Sequence, residues 1–272
     1  MPFALIGFFL GLISTTHFSG IWNFNLWILL LLVVLCMVFA RSAAMAFNRY
    51  IDERFDKLNP RTAIREIPAG IISKKNALAF ILINCLLFIV TTYFINTICF
   101  YLSPVALFVV LFYSYTKRFT ALCHLVLGLG LSLAPIGAYL AITGVFHIIP
   151  CLFSVVVLTW VSGFDILYAL QDEHFDKENK LKSIPALLGR KNALIVSIGL
   201  HILTAIIVIS IGLMTTANFI YWIGAILFIS LLTYQHTLVK PNDISKVNLA
   251  FATTNGIASI VFAVFVILSL FF

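Results

Sequence analysis

The chain has 272 residues, of which 62% are hydrophobic and only 10% are charged, and its formal net charge is +7. Several apolar runs approach or exceed the ~20 residues that a helix needs to cross a bilayer, which excludes a soluble domain. The runs are continuously apolar rather than alternating, so they predict helices and not a β-barrel. The positive charge is confined to loops, which favours membrane topology over nucleic-acid binding.

We predict nine membrane-spanning helices in chain order and no cleavable signal sequence before them. Their approximate bounds are 2–19, 22–47, 77–95, 98–116, 121–142, 148–168, 193–212, 216–236 and 248–271. The basic residues follow spans two, four, six and eight, except Arg41, which lies late in span two. The positive-inside rule therefore places these loops and the N-terminus in the cytoplasm, and the C-terminus on the far side.

Nine of the ten acidic residues lie in two of these cytoplasmic loops or in the helix ends beside them. Residues four apart share one helix face, so the first group forms a stripe if span two continues as a helix beyond the membrane. The first stripe is Asn48, Asp52 and Asp56, and the second is Asp165, Tyr168, Asp172 and Asp176. Pairing with neighbouring Arg and Lys is the alternative role, but two acidic stripes on one membrane face favour a shared ligand.

Oxygen-only ligands of this kind suit Mg²⁺, which binds through a few carboxylates together with substrate phosphates. Basic side chains flank both stripes, and Arg and Lys bind phosphate as a planar fork and a compact point charge. They are Arg61, Arg65, Lys117 with Tyr113 four residues before it, Arg118 and Lys182. The combination predicts a site for Mg²⁺ and a diphosphate.

In this order, the motifs resemble those of the UbiA-type membrane prenyltransferases over nearly the whole chain. The first match is to N-x-x-x-D-x-x-x-D, through Asn48, Asp52 and Asp56. The others are R-T-x-x-R-x-x-P-x-G (Arg61, Thr62, Arg65, Pro68, Gly70), Y-x-x-x-K (Tyr113, Lys117) and D-x-x-Y-x-x-x-D-x-x-x-D (Asp165, Tyr168, Asp172, Asp176). Residues 41–49 and 163–172 are similar to the 4-hydroxybenzoate polyprenyltransferase branch, including related enzymes proposed for the futalosine route to menaquinone.

The resemblance implies an all-α, polytopic single domain over residues 1–272, with nine helices around a central cavity under a cytoplasmic cap. It implies Mg²⁺-dependent transfer of a polyprenyl group from a prenyl diphosphate to an aromatic acid, 4-hydroxybenzoate or a relative, in ubiquinone or menaquinone biosynthesis. The expected partners are these two substrates and membrane lipid, with no nucleic acid and no obligate protein partner. The motifs occupy residues 48–70 and 165–183.

On this hypothesis the allylic C–O bond ionises and the aromatic ring attacks the resulting cation. The metal and diphosphate set is Asn48, Asp52, Asp56, Asp172 and Asp176. Arg61, Arg65, Lys117 and Lys182 are expected to contact the diphosphate, and Tyr113 and Tyr168 to contact substrate. Arg118 is expected to face either the diphosphate or the acceptor carboxylate. Asp165 lies deeper in its span and is expected to orient groups or act as a base, because an acid within a membrane span is costly.

Other acceptors of the same superfamily are the nearest alternatives: haem, naphthoate, chlorophyll or glycerol phosphate types. A transporter would need polar residues near mid-membrane, and a non-catalytic quinone-binding or lipid-binding protein would tolerate substitution of the acids. The chain starts with apolar residues 1–5, whereas members of this branch begin with a polar, partly basic helix. We therefore expect part of that helix to be missing and carry over no acceptor contacts from it.

Overall fold

The computed structural model describes residues 2–15 and 24–272, and within them it contains helices and no β-strand. This confirms the all-α prediction. A 3₁₀ turn at Leu170–Asp172 precedes α7, and a π-helical segment at Leu249–Thr254 leads into α10. The helices are α1 (Pro2–Thr15), α2 (Phe24–Leu58), α3 (Lys74–Tyr93), α4 (Thr97–Thr116), α5 (Cys123–Thr143), α6 (Ile148–Ala169), α7 (Glu173–Glu178), α8 (Ile184–Met214), α9 (Phe219–Leu238) and α10 (Asn255–Ser269).

Eight helical segments of the described chain are long and apolar enough to cross a membrane, and α1 is a shorter apolar helix. Together they correspond to the nine predicted spans. The predicted end of the first span at residues 16–19 and the start of the second at residues 22–23 lie outside the described residues. Many large apolar side chains on α3, α4 and α8 are exposed, as expected of surfaces that face lipid.

Two helices extend well beyond the spans predicted from hydropathy. Helix α2 continues to Leu58, which meets the condition for the first acidic stripe. Helix α8 begins at Ile184, nine residues before the predicted span, because Ser183 caps it by accepting a hydrogen bond from the Ala186 amide. Its first part is a short apolar stretch, residues 184–188, which Arg190, Lys191 and Asn192 separate from the apolar run of the predicted span. A break at Gly189, whose φ is +76°, then redirects the helix into the membrane.

Helix α5 lies at the centre of the bundle, where it packs against α1, α4 and α6. An aromatic core joins α1, α6, α9 and α10, and within it the rings of Phe228 and Phe262 stack with centroids 4.7 Å apart. Close backbone approach sets the spacing of α5 and α6, since a Cβ on Gly128 would lie 2.5 Å from the carbonyl oxygen of Leu158. The adjoining helix ends are thereby held together at one end of the bundle.

Candidate active site

A cavity of about 250 Å³ opens between the C-terminal ends of α2, α4 and α6 and the first turn of α5. Eleven of the thirteen predicted site residues line it, and the other two are Arg118 and Lys182. The eleven are Asn48, Asp52, Asp56, Arg61, Arg65, Tyr113, Lys117, Asp165, Tyr168, Asp172 and Asp176. Side chains from separate stretches of the sequence therefore line one polar cavity.

The first acidic stripe projects from the last turns of α2. Asn48 Nδ2 donates a hydrogen bond of 3.2 Å to Asp52 Oδ2. Both oxygens of Asp56 accept from Nη1 of Arg65 at 2.9 Å. The loop that carries Arg65 turns back towards the helix because Thr62 Oγ1 donates to the Asp56 carbonyl oxygen. Asp52 and Asp56 are almost fully buried, so their charges depend on these partners.

Arg61 joins the first motif to the second. Its Nη2 and Nε contact the two oxygens of Asp172 at 2.5 and 3.2 Å, and its Nη1 donates to the Tyr168 hydroxyl at 2.9 Å. Burial lowers the pKa of Arg61, but the charge of Asp172 and the contact with Tyr168 outweigh burial, and the pKa is raised above its ordinary value. The loop after the first stripe therefore places a permanent cation on the second stripe.

Lys117 ends α4 and its ammonium group has no ion-pair or hydrogen-bond partner in the part of the chain that the structure describes. Its charge interacts with Asp52 on one side and Asp176 on the other. Asp176 on α7 is 4% exposed, and its Oδ1 has no hydrogen-bond partner among the described residues. The cavity therefore has an unpaired cation and a buried carboxylate oxygen with capacity for a further ligand.

The two predicted residues outside the cavity lining have different surroundings. Arg118 donates to the Ile51 carbonyl oxygen at 2.8 Å and contacts Asp52 at 3.4 Å, and its guanidinium lies over the rings of Phe55 and Tyr115. Lys182 is exposed, and its backbone amide donates to the Lys117 carbonyl oxygen at 2.7 Å. Arg118 thus supports the first stripe from behind, while Lys182 attaches its loop to α4 through the main chain.

Sequence reasoning missed two polar residues of the cavity wall, Asn59 and His124. Asn59 donates to Asp172 Oδ1 at 3.2 Å and accepts from the Arg61 amide at 3.0 Å. His124 Nδ1 lies 2.6 Å from Asp165 Oδ2. The available signals were an Asn-Pro turn between the two halves of the first motif and a polar ring at the start of an apolar span.

The donor set is compatible with Mg²⁺ because it consists of carboxylate and amide oxygens. Among residues 2–15 and 24–272, no three His, Cys, Asp or Glu side chains are grouped closely enough to hold a metal ion by themselves. The two stripes instead lie on different walls of the cavity. This arrangement fits a cation that takes a few ligands from the protein and the rest from substrate phosphates. Oδ1 of Asp176 is one carboxylate oxygen that remains free to bind such a cation.

Comparisons with known proteins identify a family and similar folds. The family model described as the UbiA prenyltransferase family matches residues 1–271. A 4-hydroxybenzoate octaprenyltransferase of Tolumonas auensis is 30% identical over 246 residues, covering 90% of this chain and 84% of that protein. The protein of the same name from Aliivibrio fischeri MJ11 is 31% identical over 238 residues, covering 87% and 82%.

Two solved structures show the same fold. The apo structure of a UbiA homolog from Aeropyrum pernix K1 superposes with a TM-score of 0.85 at 28% identity, covering 98% of this chain and 96% of that one. The structure of a UbiA homolog from Archaeoglobus fulgidus bound to GPP and Mg²⁺ superposes with a TM-score of 0.69 at 20% identity, covering 100% and 97%.

Proposed function

Because this chain belongs to the UbiA prenyltransferase family, we propose that it transfers a polyprenyl group to a hydroxylated aromatic acid, with 4-hydroxybenzoate as the first candidate. The chain is an integral membrane prenyltransferase. The acceptor and a place in quinone biosynthesis are the proposed parts, supported by relatives of that name at about 30% identity over most of the chain. The observation that carries the proposal is one cavity lined by both carboxylate stripes, with Arg61 of the first motif paired to Asp172 of the second.

The carboxylates of Asp52, Asp56, Asp172 and Asp176, with the amide of Asn48, would hold Mg²⁺ and the prenyl diphosphate in this cavity. When bound, Mg²⁺ neutralises charge on the diphosphate and makes it a better leaving group. Arg61 and Arg65 form ion pairs with the carboxylates in the substrate-free chain. A diphosphate can draw these guanidinium groups towards its own oxygens, which frees carboxylate oxygens for the cation.

Catalysis then depends on charge stabilisation and positioning. Lys117 has no competing ion pair among the described residues, so its ammonium group can stabilise the negative charge that develops on the leaving diphosphate. The allylic cation is attacked by the ring carbon ortho to the acceptor hydroxyl, and the ring then loses its proton. Arg118 lies outside the cavity lining, against the rings of Phe55 and Tyr115, so its proposed part is to hold Asp52 in position.

We further propose that the cavity faces the cytoplasm. It opens at the end of the bundle where the loops after α2, α4, α6 and α9 carry the basic residues. The positive-inside rule assigns that end to the cytoplasm. Both substrates would then enter from the cytoplasmic side, with the prenyl tail in contact with the apolar interior of the bundle.

The metal and diphosphate site is tested with the variants Asp52→Ala and Asp172→Ala in membranes supplied with geranyl diphosphate, Mg²⁺ and 4-hydroxybenzoate. Each should lower prenylation by about 100-fold or more because a carboxylate on one wall is removed. Excess EDTA should abolish the wild-type rate, and added Mg²⁺ should restore it. Asp243→Ala is the matched control, since Asp243 is exposed in the α9–α10 loop and should keep the wild-type rate. Full activity of both site variants would refute the assignment.

A further inference from the structure

Asp165 differs from the carboxylates that form ion pairs with arginine. It lies on α6 seven residues before Asp172, which places it roughly 10 Å further along the helix into the bundle. Its side chain is 23% exposed and lines the cavity. Its Oδ2 contacts His124, and its Oδ1 accepts no hydrogen bond from the described residues. One oxygen is therefore held by a partner while the other stays free.

The hydrogen bonds of His124 define its tautomer. The backbone amide of Ile184 can only donate, and it lies 3.3 Å from His124 Nε2. Nε2 must therefore be an acceptor, which leaves the ring proton on Nδ1, where it points to Asp165 Oδ2 at 2.6 Å. The imidazole is 3% exposed, so solvent does not compete for either nitrogen.

Three helices hold this pair in place. His124 is in the first turn of α5, Asp165 is on α6, and Ile184 is the first residue of α8. Ser162 Oγ, one turn before Asp165, donates to the His124 carbonyl oxygen at 3.1 Å. The close approach of α5 to α6 at Gly128 lies one turn beyond His124. A catalytic carboxylate needs such support if a single orientation is to be maintained.

The other cavity carboxylates are less suited to accept a proton from carbon. Asp52, Asp56 and Asp172 each contact an arginine, so an oxygen of each of these carboxylates is already held by a cation. Asp176 lies on the short helix α7, four residues beyond Asp172 in the same stripe, with the proposed diphosphate ligands. Asp165 contacts neither Arg nor Lys among the described residues, and it lies about two turns before Asp172.

We propose that Asp165 accepts the proton that the aromatic ring loses on prenylation, and that His124 is the positioning residue that orients it through the Nδ1–H hydrogen bond. This inference rests on the proposed function. The allylic C–O bond breaks and its electron pair leaves with the diphosphate, while the ring carbon ortho to the hydroxyl forms a C–C bond to the allylic carbon. The C–H bond at that ring carbon then breaks, its electrons restore aromaticity, and the proton passes to Asp165 Oδ1.

The test uses His124→Leu, which removes the donor, and His124→Asn, whose amide nitrogen can replace Nδ1. The acceptor is 4-hydroxybenzoate, either unlabelled or carrying deuterium at both ring positions ortho to the hydroxyl. We expect His124→Leu to lower kcat by about 100-fold and to leave KM for geranyl diphosphate within twofold of wild type. Proton removal should become rate-limiting, so the deuterium isotope effect on kcat should rise above the wild-type value. His124→Asn should recover much of kcat and lower the isotope effect again.

The matched control is His147→Asn. His147 caps α6 at the opposite end of the bundle, and Asn is also a good N-cap, so kcat and the isotope effect should stay at wild-type values. Stabilisation of each variant against heat by geranyl diphosphate with Mg²⁺ reports whether it is folded. If His124→Leu does not fold, His124→Asn is compared with Asp165→Asn instead. The proposed role of Asp165 then predicts a raised isotope effect for Asp165→Asn and not for His124→Asn.

Two outcomes separate this inference from the proposed function. A folded wild-type protein that does not prenylate 4-hydroxybenzoate would overturn the proposed acceptor, and the role of Asp165 with it. An active wild type would overturn the His124–Asp165 role alone if His124→Leu kept its kcat, or if it lost kcat without any change in the isotope effect. The second pattern would mark His124 as a structural residue.

Discussion

Arg61, together with Asn59, joins the loop of the first acidic motif to Asp172 of the second. Its guanidinium binds both oxygens of Asp172 and also the Tyr168 hydroxyl. The charge of Asp172 repels that of Asp176 on the same stripe, and the guanidinium on Asp172 offsets this repulsion when no substrate is bound. The same fork geometry suits a phosphate, so Arg61 can exchange one anionic partner for another. The ion pair is therefore part of the binding site as well as a structural contact.

Replacing Arg61 with Lys tests whether the fork is needed. Lysine keeps the charge but cannot make the paired contacts to Asp172 and also reach Tyr168. We expect KM for geranyl diphosphate to rise by about tenfold or more, with a smaller effect on KM for the aromatic acceptor. Steady-state kinetics with each substrate varied in turn measures both values.

The control for Arg61→Lys is Arg190→Lys. Arg190 also contacts a carboxylate, that of Glu173 at 2.7 Å, but it does not line the cavity. Its replacement should leave both KM values within twofold. An Arg61→Lys variant with an unchanged KM for geranyl diphosphate would show that the guanidinium does not bind the substrate.

At the scale of elements, the close approach of α5 to α6 sets the distance between the two helices where both line the cavity. Gly128 allows this approach, since any Cβ there would overlap the backbone and Ser162 side chain of α6. Small residues at such contacts are typical of membrane helices, which gain no hydrophobic energy by leaving lipid. The first turn of α5 and the last turns of α6 are therefore held at a set distance.

The variant Gly128→Ala should force α5 and α6 apart. Overpacking of this kind costs about 1–3 kcal/mol, so we expect a lower midpoint of thermal unfolding in detergent together with reduced prenylation. Gly137→Ala is a matched control on the same helix, because no heavy atom outside its immediate neighbours lies within 4 Å of the added Cβ. Equal stability of the two variants would contradict the close-packing argument.

Hydropathy underestimates the lengths of α2 and α8. The final turns of α2 are polar, and the first turn of α8 is cut off from its apolar run by Arg190, Lys191 and Asn192, so hydropathy assigns neither part to a span although both are helical. The spacing of Asn48, Asp52 and Asp56 did predict the extension of α2, because residues four apart align only on a helix. Capping at Ser183 and the Pro that follows Ile184 were the corresponding signals for α8.

At the scale of the whole molecule, the basic and acidic residues are concentrated at one end of the helix bundle. The loops after α2, α4, α6, α7 and α9 lie at the end that carries the cavity, and the turns after α3, α5 and α8 lie opposite. An even number of crossings separates residues 48–70 from residues 165–183, which lets two distant motifs form one site. The orientation of this end towards the cytoplasm remains a prediction from the basic residues.

Cysteine labelling tests the orientation. In a background with the five native cysteines replaced, Ser245→Cys lies in the exposed loop before α10 and Thr215→Cys lies in the exposed turn after α8, at opposite ends. A membrane-impermeant maleimide should label Ser245→Cys in inside-out vesicles and Thr215→Cys in right-side-out vesicles. Each variant is the other's control, and the reverse pattern would place the cavity on the far side of the membrane.

The sequence by itself determined the features that depend on local periodicity and on charge. Continuous apolar runs predicted the helical membrane class, which the fold confirms, and four-residue spacing placed Asn48, Asp52 and Asp56 on one face of α2. The second motif is not on one helix, because a 3₁₀ turn at Leu170–Asp172 separates Asp165 on α6 from Asp176 on α7. Only the tertiary structure decided which side chains meet. Arg61 and Asp172 are 111 residues apart, and His124 and Asp165 are 41 apart. Such contacts depend on which helices pack together and how closely, and no short stretch of sequence specifies either.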